Sequence, residues 1–566
     1  MRRRSIDLGP LSGPVARLLR ANLGSLGTLA DVPFNVRTLA RAGVVRPMRP
    51  DRLARLAREV HRWGASPAAG IAAAAATRGD ATMVEDEAGS VGFAEMHRRS
   101  NALARGLRAE GVREGDGVAI MCRNHRGFIE ATLAAAKLGA TGLYMNTAFA
   151  APQLAGVVES ERPRVLIYDD EFAGLLAEAG DGLRRFVAWR EDTADAGGGG
   201  PNPAAADATL DELIAASPAG DLDPPERSAK FVILTSGTTG APKGAQRSQP
   251  ASLSPVAAMF SRIPLRARER TVIAAPMFHS WGFVHFALGL SLTSTYVLRR
   301  RFDPEEALRA VASSAATALV VVPVMMQRIL ELPDDVIARH DLSSLRVTAA
   351  SGSALPGPLA TRWMDSFGDN LYNLYGSTEV AWATIATPED LRAAPGTAGR
   401  PPRGTRLMIV DENDDEVPRG ATGRVFVGNE MAFEGYTGGG GKEALAGMLS
   451  SGDVGHLDAG GRLFIDGRDD EMIVSGGENV FPREVEDLLA GHEAVREVAV
   501  VGVDDDEFGQ RLKAFVALHE GGGLTADEVK DLVKANLARF KVPREVEFVD
   551  SLPRNATGKV LKRELA

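Results

Sequence analysis

Short apolar runs alternate with longer amphipathic stretches along most of the chain. Runs at 118–122, 141–145, 165–168, 231–234, 271–275, 318–322 and 346–349 are mainly apolar or β-branched, Arg346 aside, and four or five residues long. They lack the polar alternation of a half-exposed strand, so each reads as a strand buried on both faces. Helical spacing at 128–138 falls between two of them. Strands separated by helices predict an α/β architecture over about 75–370. From about 400 to 465 the pattern shifts to strands at 407–410, 424–427 and 462–465 with turn-rich loops between them, which predicts a small β-subdomain. After Gly467, strands at 498–503 and 514–518 and a helix at 526–537 predict a further small unit. The expected fold is a large N-terminal domain of α/β sheets with a small β-subdomain, followed by a small α+β C-terminal domain. The expected boundaries are 1–65 for an extension, 66–468 for the large domain and 469–566 for the small one.

One element is expected in the extension, a helix over 51–63 with Asp51 as its cap. Leu53, Leu56, Ala57 and Val60 fall on one face, and Arg52, Arg55, Arg58 and Arg62 surround the other. Such a basic amphipathic helix either docks on its own protein or touches a membrane surface. The longest apolar run, 315–326, is broken by Pro323 and falls short of the roughly 20 residues that span a bilayer, so it reads as a buried strand. The Gly/Pro/Ala stretch 197–206 reads as a loop.

A chain of 566 residues exceeds one hydrophobic core and implies several domains. The net charge of −9 is unevenly spread. Residues 1–62 hold thirteen Arg and no Lys against Asp7, Asp31, Asp51 and Glu59, a surplus of nine, so the remainder carries −18. An acidic body argues against nucleic acid as the main partner, and a basic arm suggests contact with an anion. The single cysteine, Cys122, excludes an intramolecular disulfide and suits a reducing cytoplasm. It ends an apolar run and reads as a core residue. Breaks at Asp7 and at scattered Gly, Pro and Arg argue against a signal-peptide core behind Arg2, Arg3 and Arg4.

The chemistry starts at 235–244. The run 231–234 delivers Thr235, Ser236, Gly237, Thr238, Thr239, Gly240, Ala241, Pro242, Lys243 and Gly244. Glycines let backbone N–H groups approach an anion, hydroxyls donate further hydrogen bonds, and Lys243 adds a cation. The spacing differs from the G-x-x-x-x-G-K-[ST] phosphate loop. It closely resembles the signature loop of the adenylate-forming superfamily, which includes acyl-CoA synthetases, luciferases and peptide-synthetase adenylation domains.

Further segments resemble that family in order, over about 75–566. Asn373-Leu374-Tyr375-Gly376-Ser377-Thr378-Glu379 is similar to its second nucleotide motif. The resemblance implies that Tyr375 stacks on adenine, Asn373 reads the adenine amino group, Thr378 meets the α-phosphate and Glu379 holds Mg²⁺. Gly352-Ser353-Ala354 resembles the segment lining the adenine and the acyl pocket. Pro276 to Gly282, with His279, resembles the segment beside the substrate carboxylate. Asp453 after Ser451-Gly452 matches the ribose-binding Asp, Arg468 would reach the same ribose, and Asp470 aligns with the hinge. Gly476 and Gly477 match a loop lining the pantetheine tunnel, and Lys559 matches the catalytic lysine. Two departures stand out: a four-glycine run at 438–441 and Met448-Leu449-Ser450 before the ribose Asp, both expected in a surface loop.

The resemblance implies an AMP-forming acyl-CoA synthetase that uses ATP, Mg²⁺ and coenzyme A, with a mobile C-terminal lid. A carboxylate attacks the α-phosphorus, and the CoA thiol then attacks the acyl-AMP. The apolar run 317–326 with Met325 and Met326 resembles segments of bacterial fatty acyl-CoA synthetases, and that resemblance favours a medium- or long-chain fatty acid. Aryl and polyketide-like acids stay open, as do transfer to an acyl carrier protein and a non-catalytic nucleotide-binding role. The expected location is the cytoplasm, with contact at the inner face of the membrane through 51–63 as the alternative to docking of that helix on its own protein.

Overall fold

The structure, a computed structural model, describes residues 31–64, 66–178, 182–191, 206–235, 243–247, 252–431, 433–437, 439–475, 478–505, 509–555 and 558–565. Two eight-stranded sheets form the large domain. In one, Leu371–Tyr375, Val347–Ala350, Ala318–Val321, Arg270–Ile273, Thr295–Leu298 and Thr82–Asp86 run parallel side by side. Antiparallel strands Thr384–Ala386 and Gly89–Gly92 close its two edges. The other centres on parallel Phe231–Thr235, Thr141–Tyr144, Gly117–Met121 and Val165–Asp169. Its far edge turns antiparallel, where Lys243–Arg247 pairs with Phe231–Thr235 and Phe433–Tyr436 pairs with Lys243–Arg247.

One core joins the two sheets. Helix Arg126–Leu138 is buried from Gly127 to its end, as a helix packed on both sides must be. Its Lys137 is fully buried, and three acceptors take its three N–H groups: His97 O at 2.9 Å, Ser100 Oγ at 2.7 Å and Asn101 Oδ1 at 2.7 Å. The β-subdomain is antiparallel throughout, with Arg406–Val410, Gly423–Gly428, Met448–Leu457 and Leu463–Arg468 in adjacent positions. A fourth sheet follows, built on the long hairpin Val495–Asp505 and Gly509–Leu518 and covered by Pro482–Ala490 and Ala526–Asn536.

Three local expectations are corrected. Asp51 does not cap its helix: Pro50 takes the first position of Pro50–Trp63, where its fixed φ suits a helix start. Asp51 instead pairs with Arg55 at 2.8 Å and Arg49 at 3.2 Å. The apolar stripe of that helix is only partly turned inward, with Leu56 and Ala57 half-buried and Leu53 and Val60 exposed. Met448-Leu449-Ser450 is not loop: it opens strand Met448–Leu457, and Met448 is buried. The run 315–326 holds a strand, Ala318–Val321, but Pro323 starts a helix, Pro323–Leu330, where its missing N–H costs nothing. The loop at 197–205 lies outside the described residues. No helix among the described residues is long and apolar enough to cross a membrane.

Candidate active site

The parallel strands of the first sheet end along one edge, where ligands bind in open α/β sheets. From that edge Arg270–Ile273 leads to His279, Ala318–Val321 to Val322 and Val324, Val347–Ala350 to Gly352-Ser353-Ala354, and Leu371–Tyr375 to Gly376 through Glu379. Strand order therefore lines up four of the segments that sequence places about a hundred residues apart. Gly376 has no room for a side chain, since an added Cβ would lie 2.1 Å from the Ala381 carbonyl oxygen.

Tyr375 and Asp453 meet directly, the phenol Oη donating to Asp453 Oδ2. Arg468 Nη1 stands 3.6 Å from Asp453 Oδ1. Burial pushes the Asp453 carboxyl above its ordinary range, against the hydrogen bond from Tyr375 and the charges of Arg468, Lys559 and Arg483. Lys559 is thus near enough to act on Asp453 although the two lie on different lobes. The Asn373 amide oxygen is buried and has no hydrogen-bond partner among the described residues, as an acceptor reserved for a ligand would be.

Glu379 sits between two hydroxyls. Tyr436 Oη donates to its Oε1 at 2.6 Å and Ser377 Oγ to its Oε2 at 2.9 Å. Burial alone would raise its pKa, but these bonds and the Lys442 charge outweigh burial and lower it. An ionised, oriented carboxylate is a suitable ligand for a hard divalent cation. Tyr436 arrives on strand Phe433–Tyr436, which pairs with Lys243–Arg247. The next residue, Thr437, donates its N–H to Gly244 O at 2.9 Å. Tyr436 and Lys442 were not singled out from sequence, and Ser377 stood in the second nucleotide motif without a role of its own. The one signal was the Gly435-Tyr436 pair just ahead of the four-glycine run.

His279 precedes helix Ser280–Leu292. Its Nε2 is out of solvent without a hydrogen-bond partner among the described residues, and burial lowers its pKa to about 4. Six residues on, His285 is fully enclosed, with Nδ1 3.1 Å from Trp281 O and a pKa lowered to about 4, again by burial. Both rings are therefore neutral at physiological pH. An unfolded imidazole titrates near 6.5, so between about pH 6.5 and 4 the unfolded chain takes up protons that these rings refuse. Stability should be full above pH 6.5 and fall as the pH drops through that window. Urea midpoints at pH 7 and 4.5 are expected to differ less in His285→Phe than in the parent, by about 2–3 kcal/mol of unfolding free energy. Equal pH dependence in the two proteins would refute the assignment.

The C-terminal lobe reaches the same edge. Asn555 N donates to Lys559 O at 2.9 Å, and Gly558 N donates to Asn555 O at 2.9 Å, which holds Asn555 against Gly558 and Lys559. Gly558 has φ +79°, and a Cβ there would lie 2.4 Å from Val324 Cγ1. The glycine thus seats this segment on Val322 and Val324. Gln327 Nε2 adds a cross-lobe bond to Arg496 O at 3.0 Å. Ser236, Gly237, Thr238, Thr239, Gly240, Gly476 and Gly477 lie outside the described residues. For Thr235, Lys243 and Asp470 the structure describes the backbone.

A separate cluster, Cys122, His125 and Asp169, brings potential metal ligands within 4.8 Å of one another. All three are fully buried and internally bonded. His125 Nε2 meets Asp169 Oδ1 at 2.8 Å, Gly127 N donates to His125 Nδ1 at 3.1 Å, and Arg123 N donates to Asp169 Oδ2 at 2.9 Å. Burial, with Asp169 beside it, pushes the Cys122 thiol up. The cluster holds the strand ends together, and Cys122 is the core residue expected.

Comparison with known proteins agrees with this geometry. The model of the AMP-binding enzyme family matches residues 71–437, and that of the AMP-binding enzyme C-terminal domain matches 484–559. A feruloyl-CoA synthase from Amycolatopsis is 34% identical over 493 residues, covering 86% of this chain and 95% of that protein. A fatty acid–[acyl-carrier-protein] ligase of Streptomyces coeruleorubidus is 29% identical, covering 84% and 90%. The crystal structure of an anthranilate CoA ligase in complex with anthranoyl-AMP superposes with a TM-score of 0.78 at 26% identity, covering 88% of this chain and 96% of that one. The chain belongs to the family of AMP-binding, adenylate-forming enzymes, and within it is an ATP-dependent, AMP-forming acid–thiol ligase.

Proposed function

We propose that this enzyme activates an apolar carboxylic acid as its acyl-AMP, with Mg²⁺ held at Glu379, and transfers the acyl group to coenzyme A. The observation that carries the reading is the closure of the lobes: the loop bearing Lys559 rests on Val322 and Val324 while its charge reaches Asp453. Carboxylates are weak nucleophiles, so the adenylation step depends on positioning and on neutralising phosphate charge. In the assigned roles, Lys559 neutralises the developing charge. Tyr375, Asn373, Asp453 and Arg468 hold the nucleoside, and His279 faces the carboxylate as a neutral imidazole. Mg²⁺ would supply charge neutralisation at the phosphates. Rotation about Asp470 would then exchange Lys559 for the loop with Gly476 and Gly477, making way for pantetheine.

For the acid, the ferulate and anthranilate relatives favour a ring-bearing substrate. The apolar residues Val322, Val324 and Met325 that follow strand Ala318–Val321 and the fatty-acid relative support a medium- or long-chain fatty acid as the second reading. A cytoplasmic enzyme working close to a membrane suits either acid. The test is AMP release across aryl acids and fatty acids of graded length, with CoA or acyl carrier protein as acceptor. CoA-dependent turnover of at least one apolar acid is expected. Turnover with the carrier protein alone, or ATP binding without pyrophosphate release, would overturn the proposal.

A further inference from the structure

The N-terminal helices carry a surface that the chemistry above does not use. Between Asp31 and Trp63 stand eight arginines against Asp31, Asp51 and Glu59, while the chain beyond residue 62 carries −18. Of these arginines, Arg62 is spent internally, donating to Leu222 O at 2.5 Å and lying 3.6 Å from Asp223. Arg37, Arg41, Arg49, Arg52, Arg55 and Arg58 are exposed.

Among the same residues are four of the large hydrophobic side chains left in solvent: Val36, Val45, Leu53 and Val60. Leu53 is 53% and Val60 38% exposed, and seven residues apart they share one helix face. Trp63 anchors the far end of helix Pro50–Trp63 in the core. Its first six residues, Pro50 to Arg55, are exposed on every side, so the leading end of the helix stands off the body. Folding leaves an apolar stripe half-covered at the point where the arginines are densest.

We propose that helix Pro50–Trp63, with the 36–49 segment before it, docks on an anionic lipid bilayer. Guanidinium groups meet lipid phosphates while Leu53 and Val60 enter the acyl boundary. A polyanion that enwrapped the molecule would be repelled by the acidic remainder. A flat bilayer meets one face and leaves that remainder beyond the Debye length of about 8 Å. The aliphatic tips separate this surface from a purely electrostatic one, for which arginines alone would suffice. The inference is independent of which acid is activated.

The test is sedimentation of the full chain with vesicles of phosphatidylcholine alone or mixed with phosphatidylglycerol, at about physiological ionic strength. Retention on the anionic vesicles and release by high salt are expected. Leu53→Glu with Val60→Glu should lower partitioning by about tenfold or more. Arg52→Gln, Arg55→Gln and Arg58→Gln together should lower it by about a hundredfold. Both variants should keep parental AMP release with a water-soluble acid, which shows that they fold. Equal partitioning to the two vesicle types would overturn the proposal. So would binding untouched by both sets of changes, or capture of an acyl carrier protein through these residues without vesicle binding.

Discussion

Replacing Lys559 by Ala is expected to lower ATP–pyrophosphate exchange by roughly 10²–10³-fold, the loss typical of one charge-stabilising group in an active site. Thioester formation from supplied acyl-AMP should survive. On the proposed roles, Lys559 serves the adenylation half-reaction alone. Gly558 packs closely against Val324 of the large domain, and the adjacent Lys559 lies within electrostatic range of Asp453. Lys559 is exposed and makes no salt bridge among the described residues, so its charge is available to an incoming anion. Its neighbour Lys562 is engaged otherwise, bonded to Glu486 at 2.8 Å and lying 3.3 Å from Glu471. Unchanged pyrophosphate exchange in Lys559→Ala would sink both the assignment and the closed-lobe reading.

Tyr436→Phe is expected to raise the Mg²⁺ concentration needed for half-maximal adenylation by about 10–100-fold, the usual cost of losing a group that orients a metal ligand. Excess Mg²⁺ should restore most of the rate. The phenol fixes one oxygen of Glu379 at 2.6 Å while Ser377 fixes the other. Without it the carboxylate can rotate, and its pKa moves back toward that of an ordinary buried acid. Direct titration with Mn²⁺, followed by electron paramagnetic resonance in the presence of ATP, should show weaker binding in the variant. An unchanged metal titration would mean that Tyr436 only packs the sheet edge.

Elements were legible where the pattern is local. The buried strands came through within a residue or so because four or five consecutive apolar positions leave little choice of environment. The segments proposed for the nucleotide were picked out by their resemblance to the family; of these, Tyr375, Asp453 and Arg468 lie together in the structure, while 236–242 fall outside the described residues. The Tyr436–Glu379 bond was not legible, because it depends on an edge strand pairing with Lys243–Arg247 across almost two hundred residues. No periodicity encodes that register. The helix at Pro50–Trp63 was legible as a helix but not in its orientation. Which side of an amphipathic helix turns inward is set by the partner it meets, here Pro67–Arg78, whose own pattern is alanine-rich and nearly featureless. Met448 was misplaced for a similar reason: a strand that starts with a buried methionine beside glycines carries little strand propensity.

The bond from the Tyr375 phenol to Asp453 ties two recognition tasks together. On the assigned roles, one of these residues lies against the base and the other grips the sugar, so the pocket weighs a nucleoside as a single object. A wrong heterocycle that tilts the aromatic ring also slackens the carboxylate, and a missing sugar hydroxyl loosens the ring in turn. A single error would then weaken both contacts at once, and discrimination among nucleotides would be sharper than either contact alone provides.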